Sequence, residues 1–199
     1  MSSTGMRRKA VVAIAASVLV VAALAGCTES PGFSSSASTG YVSGAGVYDE
    51  IKPVDRKPAQ AFTTTLDTGA KLTSSSLLGK VHVVNFWYAG CGPCRVEASR
   101  LEAVYKSYKG SIPFLGVNTY DTAATARTFE QTHGVTYASA IDETTASVQY
   151  AYSGFVSPDA VPTTLVIDRH GRVAARVTGE LESASILTAL IKTVVAEGQ

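Results

Sequence analysis

Two cysteines stand three apart in Asn85-Phe86-Trp87-Tyr88-Ala89-Gly90-Cys91-Gly92-Pro93-Cys94-Arg95-Val96-Glu97, where an apolar strand pattern gives way to a helical one. At that spacing two thiols can close a small disulfide ring, and the unsatisfied backbone N–H groups of a first helical turn stabilise a thiolate. Cys91 is therefore the expected nucleophile, and Cys94, one turn deeper, the shielded thiol that resolves mixed disulfides. Gly92 permits a tight turn, and Pro93 falls in the first turn, where a missing N–H loses no helix hydrogen bond. Apolar positions then recur at Cys94, Ala98, Leu101, Val104, Tyr105 and Tyr108, steps of three and four that lay one helix face on a core. Glu97 lies at the edge of that face, below Cys94.

Other uses of the pair are open to the residues alone. A structural zinc site needs four ligands, and His82, His133 and His170 are isolated, with no second ligand pair, so no metal is expected. A purely structural disulfide across so small a ring would remove little unfolded-state entropy. Thiol–disulfide exchange is the use that the spacing favours.

Cys-Gly-Pro-Cys after a strand with Phe86-Trp87 resembles thioredoxin, and Cys91 to Glu97 as a whole resembles its extracytoplasmic TlpA/ResA relatives. Gly116-Val117-Asn118-Thr119, Val161-Pro162-Thr163-Thr164-Leu165-Val166-Ile167-Asp168 and Gly171-Arg172-Val173 resemble the same subfamily in the same order, so the likeness covers about three quarters of the chain. It implies an α/β, thioredoxin-like fold: a central mixed sheet flanked by helices, with an N-terminal hairpin and a TlpA-type central insertion. It also implies that Pro162 is a cis-proline whose loop faces the cysteines, and that Val161, Pro162, Thr163, Trp87, Gly92 and Pro93 line a substrate groove. From the residues alone, Glu97 would be a solvated helix glutamate and Pro162 a trans proline at a strand edge. The resemblance makes Glu97 a buried carboxylate that exchanges protons with the thiols, its pKa raised by burial. Asn85 stands where thioredoxin carries a buried acid, which leaves Glu97 as the nearby replacement. The chief departure is Gly90, where these families usually carry Trp. Tyr88, Tyr150 and Tyr152 are candidates to restore the lost apolar surface.

Taken in order, the chain opens with Arg7-Arg8-Lys9 and an uncharged run from Ala10 to Ala25, which reads as a secretory signal over residues 1–26. Leu24-Ala25-Gly26-Cys27 resembles a bacterial lipobox, implying cleavage before Cys27, its acylation and a tether to the outer face of the membrane. An uncleaved anchor helix or ordinary secretory cleavage are the alternatives. Residues 27–47, rich in Ser, Gly and Thr, read as a flexible tether, and 48–199 as the domain. Without the leader 14 basic face 16 acidic residues, so no nucleic-acid-binding face is expected. Within the domain, Ala61–Leu66 and Ala70–Thr73 read as a hairpin, Ser74–Leu78 as one helical turn and Val81–Tyr88 as a central strand. Ile112–Val117 reads as a second buried strand, Thr122–His133 as a helix closed by Gly134, Ser139–Asp142 as a short strand and Glu143–Tyr150 as a helix. Thr163–Asp168 and Arg172–Thr178 read as a hairpin, and Ser183–Ala196 as a closing helix.

The expected activity is extracytoplasmic thiol–disulfide exchange through a redox-active Cys91/Cys94 pair, with no further cofactor. Gly-Pro between the cysteines resembles thioredoxin, at about −270 mV, more than the oxidant DsbA, at about −120 mV, which favours reduction. In the TlpA/ResA group that means keeping apocytochrome c cysteines reduced, with electrons from a membrane reductant of CcdA type. The alternatives are an envelope oxidase, a peroxide-reducing redoxin, and a lipoprotein binding module with incidental cysteines.

Overall fold

The computed structural model describes residues 46–108, 110–157 and 159–198. The expected leader, Cys27 and the tether up to residue 45 lie outside them.

His82–Trp87 (β4) is buried along its whole length. Its unbroken run of β-branched and aromatic side chains suits a strand covered on both faces. It pairs parallel with Phe114–Asn118 (β5) and antiparallel with Thr163–Ile167 (β7), so that Asn85 lies opposite Gly116 on one side and Thr164 on the other. Val173–Thr178 (β8) and Val47–Glu50 (β1) extend the sheet beyond β7, and Ser139–Ile141 (β6) extends it beyond β5, giving the order β1-β8-β7-β4-β5-β6. A separate hairpin, Thr63–Thr65 (β2) with Lys71–Thr73 (β3), leads into the 3-10 turn Ser74–Leu77. Its turn reaches the β6 edge through the Asp67 N–H, which donates to the Ser139 carbonyl (2.8 Å).

Side chains alternate along β4, and each face meets its own helices. Val83 packs with Leu101 and Val104 of Gly92–Ser107 (α1) and with Leu187 and Ile191 of Ala184–Ala196 (α4). Val84 and Phe86 on the other face pack with Val148 and Ala151 of Ser147–Ala151 (α3) and with Tyr152. Burying each such Leu or Ile contributes about 1.5–3 kcal/mol. Asn85 and Trp87 share the α1 face with Val83, so β4 delivers one amide and one indole beneath the cysteine helix. Ala123–His133 (α2) starts at Thr122, whose Oγ1 accepts from the Thr125 N–H, and ends at Gly134 in the left-handed region (φ 68°). An L residue with a Cβ adopts that conformation reluctantly, which is why the stop at Gly134 was readable.

Two expectations need correction. The strand β1 takes in Val47, assigned above to the tether, because its backbone pairs with Thr178 of β8. The helix expected over Glu143–Tyr150 is only Ser147–Ala151: the Asp142 carboxylate accepts from the Val148 N–H (3.0 Å) and the Gln149 N–H (2.8 Å), and Ala146 is held at φ 48°. An acid there satisfies the helix start and leaves the preceding residues as turn. No helix among the described residues is long and apolar enough to cross a membrane.

Candidate active site

β4 ends at Trp87, a short loop follows, and α1 begins with Cys91 as its N-cap. The Cys91 sulfur accepts from the Cys94 N–H (3.1 Å), and the Cys91 N–H donates to the Tyr88 carbonyl (3.1 Å). Cys91 and Cys94 form a disulfide with their Cα atoms 5.3 Å apart. Gly92 is exposed with open space beside its Cα, and Pro93 sits in the first turn. Both cysteines are nevertheless buried, Cys91 at 0% and Cys94 at 2% exposure, in a cluster with Trp87, Ala98, Ala126, Phe129 and Val161. Trp87 stacks on Phe129 with ring centroids 4.4 Å apart, as a wall of that cluster.

The peptide bond between Val161 and Pro162 is cis. The Thr163 hydroxyl donates to the Ala160 carbonyl (2.6 Å), and the Pro162 carbonyl accepts from the Gly179 N–H (2.9 Å), fixing the loop at both ends. Cys91, Cys94, Trp87 and Val161 are therefore brought together, with Pro162 and Thr163 continuing from Val161 into β7.

Glu97 is 1% exposed, one turn after Cys94 on α1. Its Oε1 accepts from Asn85 Nδ2 (2.9 Å) and its Oε2 from the Leu181 N–H (2.7 Å). Asn85 gives its other amide hydrogen to Thr164 Oγ1 (3.0 Å), which fixes the amide's orientation. Burial pushes the Glu97 carboxyl up to about 7. The Leu181 and Asn85 donors pull it down, Glu180 pushes up and Arg100 pulls down. Nothing in its hydrogen-bonded shell carries a positive charge, so desolvation wins.

Sequence reasoning did not single out the Leu181 amide, because a backbone donor leaves no mark in the residue types. It also passed over Tyr120 and Asp121. Asp121 Oδ2 accepts from the Ala89 N–H (2.6 Å) and Asn118 Nδ2 (2.9 Å), while Asn118 Oδ1 accepts from the N–H groups of Tyr120 (3.1 Å) and Asp121 (2.7 Å). An Asn followed three residues later by Asp at the carboxyl end of the strand beside β4 was the available signal. Of the three tyrosines weighed against the missing tryptophan, Tyr152 is excluded: it is 2% exposed and packs on Phe62 and Phe86 in the core. Tyr150 is exposed and lines a cavity of about 300 Å³ with Phe86, Thr119, Val156 and Val161. Tyr88 lies beside Gly90. His82 is buried with its Nδ1 3.1 Å from the Lys80 carbonyl, His133 stacks on Phe129, and His170 sits in the β7–β8 turn. Among the described residues no three His, Cys, Asp or Glu side chains converge as metal ligands.

A family model described as Redoxin matches residues 55–191. The thiol-disulfide oxidoreductase ResA of Bacillus subtilis (strain 168) is 32% identical over 129 residues, covering 64% of this chain and 69% of that protein. The thiol:disulfide interchange protein HelX of Rhodobacter capsulatus is 33% identical over 105 residues, covering 52% of this chain and 54% of that protein. Among solved structures, a DsbF homologue from Corynebacterium diphtheriae superposes with a TM-score of 0.66 at 26% identity, covering 73% of this chain and 92% of that one.

Proposed function

The chain belongs to the Redoxin family and is a thioredoxin-fold thiol:disulfide oxidoreductase of the TlpA/ResA kind; from that premise we propose that it works outside the cytoplasm as a disulfide reductase, with apocytochrome c as its substrate. The observation that carries the reading is the pairing of an N-capping cysteine in a disulfide with a buried carboxylate, bonded by neutral donors, one turn below its partner.

In the reduced protein the Cys91 thiol sits at the start of α1, where the dipole and the Cys94 N–H favour its thiolate. The thiolate attacks one sulfur of the substrate disulfide. A Cys91–substrate mixed disulfide forms, and the other substrate sulfur leaves as a thiolate that takes up a proton. The Cys94 thiol then gives its proton to the Glu97 carboxylate and attacks the Cys91 sulfur, releasing the second substrate thiol. The substrate has gained two electrons and two protons, and the protein holds the Cys91–Cys94 disulfide. A carboxyl pushed up to about 7 suits this step, since near neutral pH it can accept the proton and return it in the reverse direction. Val161, Pro162 and Thr163 border the site on one side, and Trp87, Gly92 and Pro93 on the other.

The cycle closes when a membrane dithiol of CcdA type reduces the disulfide. Neither cysteine has appreciable exposed surface in the disulfide form, so that attack requires the side chains covering the pair to part. A lipid on Cys27 would hold both partners near the membrane. This anchor, like residues 1–26, is read from the sequence.

Equilibration of the Cys91/Cys94 couple with glutathione or dithiothreitol tests the direction, and a Cys94→Ser variant traps the mixed disulfide with Cys91. A potential well below the glutathione range, with trapped apocytochrome c, is the expected result. A potential near that of DsbA would instead make the protein an envelope oxidase.

A further inference from the structure

Gly90 leaves the position before the nucleophile bare, and the structure fills its flank from elsewhere. A Cβ on Gly90 would stand 3.2 Å from Cε2 and 3.5 Å from Cδ2 of Tyr88, so the Tyr88 ring already lies against this side of the loop. The Tyr120 ring follows it, with centroids 5.8 Å apart and planes tilted by 51°. Tyr120 is 75% exposed, on a loop that is itself well fixed. Asp121 ties its loop to Ala89, and the Thr119 N–H donates to the Trp87 carbonyl (3.1 Å). The two tyrosines thus stand on adjoining, mutually hydrogen-bonded loops at the carboxyl ends of β4 and β5, and the Tyr88 carbonyl receives the N–H of Cys91.

We infer that Tyr88 and Tyr120 form a ledge that receives the substrate chain beside its attacked cysteine, and that the partner is an extended polypeptide with an apolar residue there. The inference rests on the reading of Cys91 and Cys94 as the exchange pair. Two features fix the chemistry of the occupant. Thr119, the neighbour of Tyr120, lines a cavity that also takes in Val161 beside Pro162, and no charged side chain lines that cavity. An uncharged cavity of about 300 Å³ bordered by Val161, which packs in the cysteine cluster, has room for an extended chain beyond the reacting disulfide itself. Rigid aromatics that are held by their loops before contact lose little freedom on binding, which is how tyrosine becomes an anchor. Substrates lacking an apolar neighbour gain nothing from the ledge and react at the basal rate.

The test compares three disulfides as substrates of the reduced, full-length domain: a peptide with one Cys-x-x-Cys disulfide flanked by leucine, the same peptide flanked by serine, and oxidised glutathione. Tyr120→Ser is expected to lower kcat/KM for the leucine peptide about tenfold, mostly through KM. It should leave the serine peptide, glutathione and the reduction potential within twofold or unmoved. Tyr120→Phe, which keeps the ring, should restore the leucine preference. Equal losses on all three substrates, or no loss on the leucine peptide, would overturn the ledge while leaving the exchange chemistry intact. Failure of the wild type to exchange with any of them would overturn the reading on which the ledge rests.

Discussion

Two buried carboxylates sit at opposite ends of β7, and the protein treats them in opposite ways. Glu97, at the cysteine end, accepts only from neutral donors, the Asn85 amide and the Leu181 N–H, and its pKa is pushed up to about 7. Asp168, in the β7–β8 turn, is 5% exposed and also desolvated, though it lies nearer the surface than Glu97. Yet it accepts from the backbone N–H groups of His170 (2.9 Å) and Arg172 (3.0 Å) and pairs with the Arg172 guanidinium (2.8 Å) and Arg56 (3.5 Å). Burial still raises it, but these donors and cations win and hold it below the usual carboxylate range. The carboxylate that stays charged is given cations, whereas the one whose protonated form is favoured is buried deeper and given neutral donors.

The largest effect belongs to the paired end. Asp168→Ala removes the acceptor of two turn N–H groups and leaves Arg172 without its carboxylate, while Arg56 keeps Glu197. The expected loss is about 3 kcal/mol, the low end for breaking a buried ion pair, because Arg172 reaches solvent. Urea unfolding near neutral pH measures it. Asp168 has a depressed pKa, so its contribution is present above the unfolded value and is lost as pH falls through the folded one. The gap between wild type and Asp168→Ala should therefore shrink in acid. A gap that persisted in acid would mean that the turn, and not the charge, was lost. The thiol chemistry should not change.

At the other end the sign reverses. Glu97 has a folded pKa of about 7 against an ordinary 4.5, so its contribution is full below the unfolded value and is lost as pH rises through 7. Linkage over that span amounts to about 3 kcal/mol between pH 4 and 8. The disulfide form is the one to measure, because its cysteines do not titrate. His82 runs against this in the same window: burial lowers its pKa, so its contribution is lost as pH falls. The difference between wild type and Glu97→Gln isolates the acid, and it should slope by about 3 kcal/mol. A flat difference would mean that Glu97 meets water that the packing does not show.

How far this was legible in the chain depends on the range of the forces involved. The strand into Cys91 and the helix from Thr122 to Gly134 could be read because composition and capping act locally. β1 could not: its four residues are all exposed, and their strand exists only because β8 offers a free edge and Arg176 reaches Asp49 (2.9 Å). The short α3 was misread because helical periodicity does not show that the Asp142 side chain will satisfy the helix start several residues later. Glu97 shows the same divide at the site. Its place on the helix face followed from spacing, but its burial depends on Leu181, brought in by β8, and its partner Asn85 was noticed only as an absent acid. Tyr120 lay in a stretch whose pattern marks a turn and nothing more.

The smallest effect sharpens the contrast most, since it changes one neutral donor and no charge. Asn85→Ala removes the bond to Glu97 Oε1 and leaves the Leu181 N–H as the remaining hydrogen bond to the carboxylate. The titratable groups around it stay: the charged Arg100 on the same helix and Glu180 before Leu181, and the neutral, buried Tyr137 phenol. A hydrogen bond to a charged group contributes about 1.5 kcal/mol at the low end of its range, which is about one pKa unit. If Glu97 takes the Cys94 proton, the rate of mixed-disulfide resolution rises with pH through its pKa, so Asn85→Ala should carry that limb about one unit upward. Thr164→Val, which frees the Asn85 amide without removing it, should move the limb the same way by less. Single-turnover release of a preformed Cys91 mixed disulfide, followed across pH, reads the limb directly. A limb that Glu97→Gln abolishes and Asn85→Ala leaves in place would assign the tuning to the Leu181 amide alone. A limb that survives Glu97→Gln would take the proton transfer away from this carboxylate, and the two buried acids would then differ in charge but not in purpose.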